Sequence, residues 1–273
     1  MGRNKYLLNL LPVFLLFSGI FSSCDKETGL NFFSLEQDRE IGETMDSIIR
    51  ADPLEYPVLD PVAYASAYTY MNQMMQRLLQ SDAFVHKDDF TYSITIINKD
   101  VMNAFAVPGG KIYFYTGLMK YLDNEANLAG VMAHEMAHVD RRHSSQQLSY
   151  AMGVDMVISL LIGDDKSQLV QYAGDLAGGL ASLQFSRKDE YEADEFSIRF
   201  MDDTDYYHPK GISGFFEKLK QDGHTGLTFE FLSTHPSDDN RLAHIDEIWI
   251  GLGSPEGGYF TTEYENFKNN ILP

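Results

Sequence analysis

The chain is poor in cysteine, in basic residues and in long apolar runs, and each shortage excludes something. Of 273 residues one is cysteine, Cys24, so no internal disulfide is available. Lys and Arg together number 21 against 40 Asp and Glu, a formal charge of -19. Phosphate recognition needs a basic face, so no nucleic-acid partner is expected. The apolar stretch from Tyr6 to Phe21 is interrupted by Asn9 and Pro12 and is short for a membrane span. A second apolar region, Met152 to Phe185, carries Asp155, Asp164, Asp165, Lys166 and Asp175, and reads as buried helices rather than a span. There are no internal repeats and no low-complexity tracts. What remains is globular: 44% hydrophobic and long enough for a sizeable core.

The first 23 residues read as a targeting segment. Arg3 and Lys5 form a positive start, the apolar stretch follows, and Phe21-Ser22-Ser23 lead to Cys24. This pattern resembles a bacterial lipoprotein signal in which Cys24 becomes the acylated first residue. A lipid tether accounts for a lone thiol in an exported protein, and residues 24–33 then form the tether. The expected location is the cell envelope, on a lipid anchor in a bacterial membrane, by preference the outer one, on its periplasmic or surface side.

Periodicity orders the remainder. Ser34 with Gln37 forms a capping box for a helix to about Arg50. A proline-punctuated connector runs from Asp52 to Pro61, and Asp60-Pro61 opens a second helix to about Gln80. The period then falls to two over Phe90–Asn98, Met102–Val107 and Lys111–Tyr115, giving three strands with a Pro108-Gly109-Gly110 turn. Thr116 caps a brief helix. A long helix follows from Asn124 to about Tyr150. Ser186, with Asp189, caps a helix through Met201; others are expected from Lys210 to Gln221 and from Ser237 to Ile250. The tail, 251–273, reads as irregular. The fold class is α+β, mostly helical with a small sheet, in one domain over residues 34–250.

The long helix carries His134-Glu135-Met136-Ala137-His138. Residues four apart share a helix face, so two imidazoles can serve one metal ion, while Glu135, one step round, can reach a water without ligating. Zinc needs a third protein ligand. A histidine six after His138 is absent, since that position is Ser144, and His143 is rotated off the ligand face of a continuous helix. Glu190, on the later helix, supplies a carboxylate, and Asp194, four further on, can orient a ligand imidazole. Glu192 lies off that face and reads as solvated. His208 reads as a loop residue.

The run from Asn124 to His138, with Arg142-His143, Ser186-Arg187 and Glu190 to Asp194, resembles the CAAX-prenyl-protease/HtpX family of zinc endopeptidases (peptidase family M48). So do Asn103-Ala104-Phe105-Ala106-Val107-Pro108-Gly109-Gly110 and Thr234-His235-Pro236 followed by Arg241. These pieces lie in family order over about residues 34 to 250. The resemblance implies a zincin-like (gluzincin) domain with one Zn2+ on His134, His138 and Glu190, and Glu135 as general base. It implies that His235 either donates to a developing oxyanion or closes over the metal as a fourth ligand. It also makes Asn103, Ala104, Phe105, Ala106 and Val107 an edge strand that binds an extended substrate. The expected activity is hydrolysis of peptide bonds in protein or peptide substrates, misfolded or damaged envelope proteins above all. The rival is a non-catalytic metal-binding lipoprotein acting as adaptor or chaperone.

Overall fold

The computed structural model describes residues 31–152, 184–222, 230–236 and 239–273. The targeting segment, Cys24, most of the tether, nearly all of the Met152–Phe185 region and Ser237 lie outside the described residues.

A three-stranded mixed sheet forms the middle layer. Its strands are β1 (Ser93–Ile97), β2 (Ala104–Val107) and β3 (Lys111–Tyr115), in the order β1-β3-β2. β1 runs parallel to β3, with Ile96 opposite Phe114, and β2 runs antiparallel to it, with Phe105 opposite Tyr113. A 3-10 turn at Pro108–Gly110 joins β2 to β3, and Gly109 (φ 79°) and Gly110 (φ 102°) occupy backbone regions that favour glycine.

The strands are buried on both faces because helices cover both. Ile94, Ile96, Ile112 and Phe114 point into the main core with Met71, Met75, Leu128 and Met132. Those partners come from α2 (Ala65–Leu78) and α4 (Glu125–Asp140). Tyr113, Tyr115 and Val107 point the other way, onto Ile41, Met45 and Ile49 of α1 (Leu35–Ala51). The expected capping box at Ser34 and Gln37 is present. α2 starts four residues later than Asp60-Pro61 suggests: Asp60 instead receives the N–H groups of Val62 and Ala63 in a turn. α3 (Thr116–Tyr121) is the brief helix.

α4 is buried along all 16 residues, which an amphipathic surface helix never is. It packs on α6 (Arg187–Asp202) and α7 (Gly211–Gln221). The contact with α7 is backbone on backbone: a Cβ at Gly130 would lie 2.2 Å from Ile212 N. The helix expected to continue to Tyr150 breaks instead at Arg141-Arg142. Arg142 turns left-handed (φ 61°), and α5 (His143–Met152) starts in a new direction. Its guanidinium holds Asp38 at 2.7 Å and the Phe33 carbonyl, tying the break to α1.

A short helix, α8 (Glu230–Thr234), and a longer one, α9 (Asp239–Gly251), follow. The tail is not irregular: α10 (Thr261–Asn270) buries Tyr264 and Phe267, the latter stacked on Tyr70. Apolar residues three apart drive that helix onto the core. It starts at Phe260, a left-handed residue without a side-chain cap, so no sequence signal marks it.

Candidate active site

α4 presents His134 and His138 one turn apart, with their Nε2 atoms 3.0 Å from each other. α6, capped by Ser186 and Asp189 as expected, brings Glu190 opposite them: Oε2 lies 3.5 Å from His134 Nε2 and Oε1 3.6 Å from His138 Nε2. His235, just past α8, completes the group, with Nδ1 2.9 Å from Glu190 Oε1 and 3.3 Å from His134 Nε2. All four are buried, and their ligating atoms lie within 4.8 Å of one another.

Glu135 projects beside this group. His235 Nε2 stands 3.4 Å from its Oε1, yet neither Glu135 oxygen has a hydrogen-bond partner among the described residues. A buried, partnerless carboxylate is costly. Burial raises its proton affinity above that of an ordinary glutamate, only partly countered by His235 and His134. Glu190 moves oppositely: burial would raise its pKa, but the charges of His235 and Arg241 and its hydrogen bonds hold it well below the usual range. The two carboxylates are therefore set apart, one fixed as an anion and one placed to take a proton. Imidazole nitrogens converging on an anionic carboxylate match the donor set of a zinc site.

Asp194 stands 3.0 Å from His134 Nδ1, on the side of the ring away from Glu190, though off the line of a ring N–H hydrogen bond. Arg241 was legible only as part of a resemblance, and its position is central. Its Nε and one Nη hold the two Asp194 oxygens at 2.7 and 2.6 Å, and the other Nη holds Glu190 Oε2 at 2.6 Å. Phe185 stacks on His138 at a ring separation of 3.9 Å. Glu192 is not a freely solvated residue: it pairs with Arg141 at 2.6 Å and faces His143.

β2 is an edge strand among the described residues, as expected. Tyr115 N donates to the Asn103 carbonyl, so alternation turns the backbone polar groups of Ala104 and Ala106 away from β3. The Ala106 carbonyl accepts from Ser144 Oγ at 3.1 Å. A small hollow bordered by Phe105, Ala106, Leu148, Phe185 and His235 lies between this edge and the histidines. His208 lies elsewhere, stacked on Tyr259.

The family model for Peptidase family M48 matches residues 66–249, a span that holds His134, Glu135, His138, Glu190, Asp194, His235 and Arg241. The chain belongs to peptidase family M48. Among its M48 relatives, the mitochondrial metalloendopeptidase OMA1 of Schizosaccharomyces pombe is 30% identical over 191 residues, covering 69% of this chain and 54% of that protein. The beta-barrel assembly-enhancing protease of Escherichia coli K12 is 34% identical over 184 residues, 64% of this chain and 37% of that protein. The metalloprotease YcaL of the same organism is 34% identical over 155 residues, 55% and 59% respectively. The chain thus spans about half or less of the length of the first two M48 relatives.

Proposed function

We propose that this chain is a zinc-dependent endopeptidase of zincin-like architecture that hydrolyses peptide bonds in misfolded or damaged proteins of the bacterial cell envelope. The observation that carries the reading is the buried meeting of His134, His138 and Glu190 beside a Glu135 carboxylate that has no hydrogen-bond partner among the described residues. Those three residues would hold one zinc ion. When bound, zinc supplies Lewis acidity, which acidifies water and polarises a carbonyl. Glu135, its proton affinity raised by burial, takes the proton of the attacking water and returns it to the leaving amine. Asp194 and Arg241 keep His134 and Glu190 in place. His235 turns Nδ1 toward the ligand group and Nε2 toward Glu135, which favours its role as a cap over the metal in this conformation. An extended substrate pairs with the β2 edge, Asn103 to Val107, and acylation of Cys24 tethers the enzyme to the membrane. The name of the E. coli relative, an assembly-enhancing protease, supports an envelope setting.

The test uses purified protein with zinc content and casein hydrolysis measured together. Wild type is expected to hold about one zinc and lose activity on chelation. Glu135→Gln is expected to keep the zinc and lose roughly 10²–10⁴-fold in kcat, the range for removing a general base. Full activity in Glu135→Gln, or a wild type that binds zinc but never cleaves, overturns the reading; the second outcome is that of the adaptor.

A further inference from the structure

His143 was set aside as a ligand on the geometry of a continuous helix, and the break at Arg141-Arg142 changes where it points. It is buried, with Nδ1 3.0 Å from Nδ1 of His138. That nitrogen is on the side of the His138 ring away from the ligand group, because Nε2 faces His134 and Glu190. His143 therefore stands behind His138 and is not itself a ligand. Its other nitrogen, Nε2, faces Oε2 of Glu192 at 3.5 Å, with no hydrogen-bond partner among the described residues, so Glu192 is the nearby carboxylate toward which a proton there would point. Glu192 is held in turn by Arg141 Nε at 2.6 Å.

We infer that His143 and Glu192 form a positioning relay that fixes the metal-binding tautomer of His138. This rests on the zinc-site reading above. The two imidazoles share one proton between their Nδ1 atoms, so one donates and the other accepts. If His143 donated, neutral His138 would carry its own proton on Nε2 and could not offer a lone pair to a metal. His138 must therefore donate from Nδ1, and His143 must accept there and carry its own proton on Nε2, toward Glu192. Glu192 is the acceptor that favours that tautomer. Ligand histidines usually send their outer N–H to a carboxylate or carbonyl; here an imidazole intervenes between ligand and carboxylate. A carboxylate, Asp194, likewise stands at the outer nitrogen of His134, 3.0 Å from Nδ1.

The test measures zinc affinity by chelator competition, alongside the thermal melting of the zinc-free protein. Support of this kind contributes about 10–100-fold in metal affinity. His143→Leu, similar in size but unable to accept, is expected to lose that factor. His143→Gln, whose amide oxygen can accept from His138, is expected to recover most of it. Glu192→Gln, on the partly exposed side, is expected to weaken binding in the same direction by a smaller factor. Equal affinity in wild type and His143→Leu overturns the relay, as does equal loss in Leu and Gln, which marks a packing role. Unchanged affinity in Glu192→Gln overturns the assignment of Glu192. A wild type that binds no zinc overturns the metal site and the relay together, so the two failures are separable. If His143→Leu does not fold, as its melting curve would show, the Gln and Glu192 variants still decide.

Discussion

Arg241 shows how much one residue can settle. Its guanidinium sits among Glu190, Asp194 and the Phe216 ring, 4.4 Å from the ring centre, with almost no exposure. A planar fork can hold Asp194 with two nitrogens while a third reaches Glu190, which a lysine cannot reproduce. Removing it leaves Asp194 buried without its main counter-charge and takes from Glu190 one of the two charges that hold it ionised. Breaking a buried pair on one side costs about 3–5 kcal/mol, so zinc-free Arg241→Ala is expected to lose that much in urea denaturation. Zinc on Glu190 would replace part of the missing charge, so the loss should shrink when the metal is present. A loss below about 1 kcal/mol in the zinc-free protein would show that water already screens these carboxylates and that the clamp is unimportant. Nothing in the local sequence marks this role, because the contact spans 47 positions from Asp194 and 51 from Glu190.

At the scale of elements, local chemistry was readable and breaks without a marker were not. The capping boxes at Ser34 and Ser186 each announce a helix start, and both form. The four-residue spacings of His134 and His138, and of Glu190 and Asp194, place those side chains together because each pair lies on one continuous helix. The end of α4 had no glycine or proline to betray it. A left-handed arginine costs roughly 1–2 kcal/mol, offset by the Asp38 pair and the Phe33 carbonyl, which are more than 100 positions away. That long-range compensation is what redirects His143. The β2 strand raises a separate question, whether its outer edge binds substrate. Ala106→Pro removes an N–H that faces away from β3, so the ladder survives while an outward donor is lost. One hydrogen bond is worth about 0.5–1.5 kcal/mol, so KM is expected to rise roughly 2–13-fold with zinc content unchanged. An unaltered KM in a variant that retains zinc would remove β2 from the binding site.

For the whole molecule, the question is whether the C-terminal helix is an appendage or a structural part of the peptidase fold. Sequence periodicity in 261–270 is too short and too polar to announce it, yet its two aromatic residues complete the base of the core. Phe267 stacks on Tyr70 with ring centres 4.0 Å apart, and Tyr264 donates its hydroxyl to the Met119 carbonyl. Tyr70 in turn donates to Glu125 in the first turn of α4, the helix that carries His134 nine residues on. The C-terminal helix thus supports the N-terminal end of the helix that carries the proposed metal ligands, about 13 Å from His134 at 1.5 Å per residue. Phe267→Ala removes a fully buried aromatic ring, a change worth about 3–5 kcal/mol. At roughly 2–4 °C per kcal/mol for a domain of this size, Tm should fall by about 6–20 °C. Well below that temperature the folded variant should keep its zinc and its kcat, because no ligand is touched. A fall of about 2 °C or less would mean that α10 melts on its own and that the core it covers does not depend on it. A large fall accompanied by lost zinc affinity at low temperature would show instead that α4 moves as a rigid rod, carrying a disturbance at Glu125 to His134.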